Sequence, residues 1–250
     1  MLPIPPDVVA GRSVLEELYR TQPKFHHVEG REQDWSLADD VLEWVFDHCI
    51  PGGRTLETGS GYSTIVFAVR GTEHISISPR REEHERLRTW CRDRAVSMDG
   101  VRFVAGRSED VLPNLDLKPL DLVVIDGDHA FPAPFLDWRY AAPHLAVGGL
   151  LLVDDTDIRT GRVLTDFLAA ERGRWALRAR FERTAVFEKT AADVVGQGFW
   201  EQPWCATKVR TPRQRLADIR RTGIGRLRNR ARLRSRLRHI WEPRGAPDGG

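Results

Sequence analysis

The chain has 250 residues, 41% of them hydrophobic, which suffices for one sizeable α/β domain and excludes a chain disordered throughout. Its formal charge of +2 hides an asymmetry: residues 210–250 hold 13 Arg, no Lys and three acidic residues, leaving the first 209 with a net charge of −8. Three cysteines, Cys49, Cys91 and Cys205, are odd in number and far apart, which excludes a disulfide framework or a zinc cluster and suits a reduced, cytoplasmic protein.

The opening MLPIPPDVVAGR lacks a charged stretch followed by an apolar core, and no apolar run reaches the length of a membrane span, so neither export signal nor anchor is expected. Residues 37–48 place Leu37, Val41, Leu42, Val45 and Phe46 at helical spacing, with Ser36 as the expected N-cap. Pro51-Gly52-Gly53 stops that helix. Arg54 to Glu57 then reads as a short strand entering the turn LETGSGYST (56–64), and residues 63–70 continue as a helix. Further strands are expected at 74–78, 101–106, 120–126 and 148–155, and helices at 82–98, around 108–115, at 134–145 and at 162–171. The stretch LDLVVID (120–126) is near-continuously apolar, as a strand covered on both faces would be. Residues 175–190 alternate on both sides of Glu182-Arg183-Thr184, the pattern of an antiparallel hairpin.

Strand alternating with helix predicts an α/β fold: a Rossmann-like, doubly wound, mostly parallel seven-stranded sheet with a C-terminal antiparallel hairpin and ligands at the carboxyl ends of the strands. The expected organisation is an N-terminal strap over residues 1–35, the main domain over 36–208, and a basic helical tail over 209–250 ending in a disordered Pro/Gly segment.

The glycine turn discriminates between ligands. A Walker phosphate loop needs GxxxxGK[ST], and no Lys follows here. A dinucleotide fingerprint needs GxGxxG, and the third glycine is missing; a pyrophosphate would also sit badly beside the carboxylate of Glu57. A cationic ligand carrying an amino group and a sulfonium fits better, and glycine's missing Cβ lets the backbone approach it. A purely structural strand-to-helix turn is the alternative.

The turn LETGSGYST resembles the first motif of class I S-adenosylmethionine-dependent methyltransferases. LDLVVIDGDHAFPAPFLDW and LAVGGLLLVDDT are similar to the fourth- and fifth-strand segments of that family, and the hairpin to its sixth and seventh strands. The similarity covers residues 35–190 in matching order and is closest to the branch of small-molecule O-methyltransferases of catechol and caffeoyl-CoA type. It implies S-adenosylmethionine as cofactor, with Glu57, Gly59, Ser60 and Gly61 at its methionine end, Ser108 near adenine and Asp126 beside the methyl group. At the ribose the family usually places an acid at the end of the second strand; here Ser78 stands there, with Glu82 or Glu83 of the following helix as substitutes.

Asp126, Asp128 and His129 follow one strand, and Asp154 and Asp155 the next. If the two strands are neighbours, Asp126, Asp154 and Asp155 meet, and carboxylates that close repel unless protonated or paired with a cation. Hard oxygen ligands suit Mg²⁺ or another divalent cation, which the resemblance also implies at these positions. His129 sits where the resemblance implies a basic side chain, which makes it the candidate general base, with Asp128 as its orienter. Asp128 as a helix cap, and Asp154 or Asp155 on turn amides, are the structural alternatives.

His26, His27 and Trp35 precede the first core helix and are candidates for substrate contact; a strap packed on the core through Phe25 and Trp35 is the alternative. In the tail, Leu216, Ile219, Leu227, Leu233, Leu237 and Ile240 leave a broken apolar stripe among arginines. Such a helix can lie on an anionic membrane surface, grip nucleic acid, or dock on the acidic domain of its own or a partner subunit as a homo-oligomer, the last being favoured. The resulting expectation is methyl transfer to a hydroxyl of a small-molecule or glycan acceptor. A nucleic-acid methyltransferase and a non-catalytic scaffold are its rivals.

Overall fold

The computed structural model describes residues 6–206, and those up to Trp204 form one compact unit. The predicted tail, residues 209–250, lies outside the described residues. The chain opens with α1 (Pro6–Thr21), which no sequence signal above anticipates, and a two-stranded hairpin, β1 (His26–Val28) and β2 (Arg31–Gln33). The first 35 residues are therefore more than a cover: Leu15 and Leu18 of α1 are wholly buried in the main core.

The helix α2 (Asp39–His48) buries Val41, Leu42, Val45 and Phe46, the residues its spacing marks out. Its N-cap is Ala38 and not Ser36, whose hydroxyl donates to Asp34 instead. Asp39 and Asp40 in the first turn and His48 in the last offset the helix dipole in place of a side-chain cap. There follow β3 (Arg54–Thr58), α3 (Tyr62–Val69), β4 (Glu73–Ser78), α4 (Arg81–Arg92), β5 (Val101–Ala105), a one-turn α5 (Ser108–Val111), β6 (Leu120–Ile125), α6 (Ala133–Ala141), β7 (Leu145–Val153), α7 (Arg159–Ala170) and the hairpin β8 (Trp175–Arg180) and β9 (Ala185–Lys189). The helix expected over 82–98 stops early, because Ala95 turns left-handed (φ 54°) and the Val96 N–H closes back on the Cys91 carbonyl. The helix expected to reach Leu145 also ends early: Leu145 is buried and pairs with Leu120, so β7 begins ahead of Gly148-Gly149.

The seven-stranded sheet has the order β5-β4-β3-β6-β7-β9-β8, parallel except that β9 runs against both its neighbours. Alternate residues of the central strands feed two cores. Leu122, Val124 and Leu152 face one, with α1 to α4; Val123, Ile125, Leu151 and Val153 face the other, with Trp138, Leu164 and Phe167 of α6 and α7. This is why 120–126 reads as continuously apolar: both faces of β6 are covered. Among the described residues no helix is long and apolar enough to cross a membrane.

Leu18→Ala should cost about 2–5 kcal/mol in urea unfolding, the range for emptying a buried leucine site. A change near zero would mean that α1 is not part of the core.

Candidate active site

Strand order reverses between β3 and β6, and in open α/β sheets ligands bind in the crevice beyond such a point. A cavity of about 720 Å³ opens there, at the carboxyl ends of the parallel strands. Its floor is the glycine turn. Gly59 lies at φ 102°, and a Cβ on it would fall 2.3 Å from the carbonyl oxygen of Asp126, so the two strand ends close up only around a glycine. Gly61 is different: its backbone is extended, and a Cβ there would meet only His26 Nε2, at 3.5 Å. The turn is buttressed from β4. Gly59 N–H donates to Ile77 O (2.8 Å), and Ser76 Oγ donates to Gly59 O (3.1 Å) while lying 2.6 Å from Ser60 Oγ, which leaves Ser60 as the donor in that pair.

Glu57 is wholly enclosed beneath this turn. Its carboxylate accepts from Ser63 Oγ (2.5 Å) and from Thr64 Oγ1, and His74 Nε2 lies 3.2 Å away. His74 in turn stacks on Phe67, with ring centres 4.4 Å apart, and its Nδ1 meets Thr55 Oγ1 at 2.8 Å. Burial pushes the Glu57 carboxyl up, but the imidazole of His74 and the two hydroxyls outweigh it and hold the group below its ordinary value.

At the end of β4, Ser78 Oγ donates to Glu83 Oε2 (2.6 Å). The buried Glu83 carboxylate also receives Arg80 (3.1 Å) and His26 Nδ1 (3.0 Å) on Oε1. A carboxylate offers about four acceptor positions, so one on Oε2 is unused by these partners, and Glu83 lines the cavity. Burial again raises this group, and His26, Ser78 and Arg80 outweigh it to leave it lowered.

Beyond β6 and β7 lies a concentration of acid. Asp126 is pushed well above the usual carboxylate range, first by burial and then by Asp154, Asp155 and Glu57. Asp155 sits in left-handed backbone (φ 50°), with Arg183 on Oδ1 and His129 Nε2 2.9 Å from Oδ2. These partners, His129 first, outweigh burial and hold its pKa down; the same bond raises His129 above its ordinary value. Ligand atoms of Asp126, His129 and Asp155 all lie within 4.8 Å of one another. On the opposite wall, Ser108 is buried at the start of α5. Behind it Asp137 of α6 is pushed up to about 6 by burial, against the pull of the Ser108 and Thr58 hydroxyls.

Comparison with known proteins gives this geometry its context. The family model described as a methyltransferase domain matches residues 56–156, from the strand before the glycine turn to the residue after Asp155. Residues 56–156 are a methyltransferase domain. Solved structures sharing the fold include the O-methyltransferase TomG from Streptomyces achromogenes in complex with S-adenosylmethionine (16% identity over 76% of this chain and 92% of that one, TM-score 0.52). They also include the O-methyltransferase NovP (14%, 74% and 98%, TM-score 0.57) and a methyltransferase of Podospora anserina bound to S-adenosylhomocysteine (17%, 75% and 89%, TM-score 0.51). No curated protein matches the sequence. The fold is that of class I S-adenosylmethionine-dependent methyltransferases.

In this chain the cavity is lined by Gly59, Ser60, Ser78, Ser108, Asp126, Asp128, His129, Asp154 and Asp155. Three expectations need correction. Glu57 is not among the residues lining the cavity: its oxygens accept from Ser63 and Thr64, so it ties the turn to α3. Asp128 does not orient His129; it accepts from the Ala130 N–H (2.9 Å) and pairs with Arg107 (3.3 Å), while Asp155 orients the imidazole. Asp154 stands apart from the donor cluster, because its Oδ1 accepts from Thr184 of the hairpin, and His129 takes its place. Of the two substitutes for the ribose acid, Glu83 is buried and on Ser78, whereas Glu82 is exposed. Sequence reasoning missed Arg183 and Thr184 in the hairpin turn; an arginine and a threonine between two strands carry no signal until the hairpin is placed beside β7.

Glu57→Ala should therefore destabilise the cofactor-free protein by about 3–5 kcal/mol in urea unfolding, the cost of stripping one partner from a buried pair. An unchanged value would return Glu57 to the cofactor. The Glu57 folded pKa is depressed, so its contribution is present above the ordinary value of 4.5 and lost as pH falls through the folded value. Wild type should then lose stability on acidification in a window where Glu57→Gln does not.

Proposed function

We propose that this methyltransferase transfers the methyl group of S-adenosylmethionine to a hydroxyl of a small molecule or glycan, with a divalent cation held by Asp126 and Asp155. The convergence of Asp126, Asp155 and His129 beside the glycine turn carries this reading. The cofactor fits the cavity chemically: a backbone floor at Gly59 that tolerates no Cβ, an open acceptor position on Glu83 for a ribose hydroxyl, and the buried Ser108 on the opposite wall for adenine. The donor set fits a cation too. Burial first, and then the charges of Asp154, Asp155 and Glu57, hold the Asp126 carboxyl well above the usual range, and a cation beside it would relieve that repulsion. When bound, such a cation lowers the pKa of an acceptor hydroxyl and fixes its orientation.

His129 is the proton acceptor in this reading. On Asp155 alone its Nε2 holds its proton firmly, since that bond is the main cause of its raised pKa. A cation on Asp155 would weaken that cause, and Nε2 would then be able to receive the proton of a hydroxyl. Thr160 Oγ1 donates to the His129 carbonyl (2.6 Å) and ties this loop to α7, so the ring is held while it works. Trp35 and Ile158, both partly exposed on the cavity wall, suit an acceptor with an apolar face. The buried, unpaired Cys49 and Cys91 suit a reducing cytoplasm.

The test is transfer of labelled methyl to a panel of phenol, catechol and sugar hydroxyls with Mg²⁺ or EDTA. Transfer should occur, fall at least a hundredfold in EDTA, and be lost in Asp155→Asn. Full transfer in EDTA would remove the cation from the mechanism; labelling of amines alone would remove the hydroxyl.

A further inference from the structure

We propose that His26, carried by the N-terminal hairpin, is a cofactor-binding residue: its Nδ1 holds Glu83 and its Nε2 receives the methionine carboxylate of S-adenosylmethionine. The need for such a group follows from the glycine turn itself. The cofactor's amino-acid end must lie over Gly59–Gly61 once its ribose is at Glu83, yet the turn's side-chain donors are engaged. Ser60 Oγ is given to Ser76, Ser63 Oγ and Thr64 Oγ1 to Glu57, and the Gly61 N–H to Thr64 Oγ1 (3.0 Å). A carboxylate arriving there meets an acid-rich cavity and finds no uncommitted side-chain donor in the turn.

His26 is that donor by position. Its ring lines the cavity, with Nε2 directly above Gly61, 3.5 Å from where a Cβ would stand. Gly61 has no conformational need to be glycine, and a Cβ there would stand in ordinary contact with this nitrogen. With Glu83 on Nδ1 and the cofactor's carboxylate on Nε2, both ring nitrogens donate, and one imidazole joins the ribose end of the site to its methionine end.

The hairpin holds the ring in place. Tyr62 Oη donates to Pro23 O (3.1 Å), Arg86 donates to Phe25 O (2.7 Å), and Phe25 packs edge-on against Tyr62 at 5.8 Å between ring centres. Trp35 lies 5.6 Å from the imidazole on its far side and carries Arg80 over its own face at 5.2 Å. The segment is thus a wall of the cofactor site, whereas its sequence suggests a cover over the acceptor.

The inference rests on S-adenosylmethionine binding in this cavity and not on the acceptor or the cation. It is tested by calorimetric titration of the full chain with S-adenosylhomocysteine and with 5′-methylthioadenosine, which has the adenine, ribose and sulfur but no amino-acid end. His26→Asn keeps a donor near the Nδ1 position and loses the reach to Gly61; His26→Gln keeps the reach. His26→Asn should bind S-adenosylhomocysteine roughly tenfold more weakly and 5′-methylthioadenosine unchanged, with His26→Gln in between. Equal losses for both ligands, or no loss for either, would overturn the proposal, since the residue would then act only on the fold or not at all. Failure of the wild-type chain to bind either ligand would overturn the cofactor reading with it.

Discussion

Everything at the site depends on one close approach, that of the Gly59 backbone to the carbonyl of Asp126. It occurs where the strand order reverses, so the helices on either side diverge and leave a crevice that no side chain fills. The approach brings the end of β3 against the end of β6, where the acids begin. Positive φ at residue 59 and the absence of a Cβ are both required, and no other residue type supplies both at no cost. Ser76 of β4 then locks the turn from behind, while Ser78 at the end of the same strand holds Glu83.

The second organising fact is charge. Glu57, Glu83, Asp126, Asp137, Asp154 and Asp155 all end near the carboxyl edge, and they meet the cost of burial in more than one way. Glu57 and Glu83 are ionised against imidazole and hydroxyl donors, Asp155 against His129 and Arg183, while Asp126 and Asp137 are pushed towards the protonated form. Only Asp126 lacks a compensating partner of its own while facing the cavity, and it is the position at which an incoming cation or a sulfonium changes the balance most.

Much of this was legible in the chain. The alternation of apolar segments places all seven strands of the sheet and the terminal hairpin, and the two covered faces of β6 demand the apolar run at 120–126. The glycine turn and the acids after β6 and β7 are legible for the same reason: the sheet brings strand ends together without help from distant side chains. What the chain did not disclose depends on contacts between elements far apart in sequence. Glu57 looks like a ligand-facing acid until α3 folds Ser63 and Thr64 onto it. His129 looks oriented by its neighbour Asp128 until β7 delivers Asp155. Likewise α1 escaped notice because Leu15 and Leu18 acquire meaning only against α2 and α3.

The most direct measurement of the whole account is a crystal structure of the full chain grown with S-adenosylhomocysteine. The account predicts one molecule across the crevice between Gly59 and Asp126, with adenine beside Ser108, a ribose hydroxyl on Glu83 and the sulfur next to Asp126. Ligand density elsewhere, or in the crevice with the ribose turned away from Glu83, would contradict it.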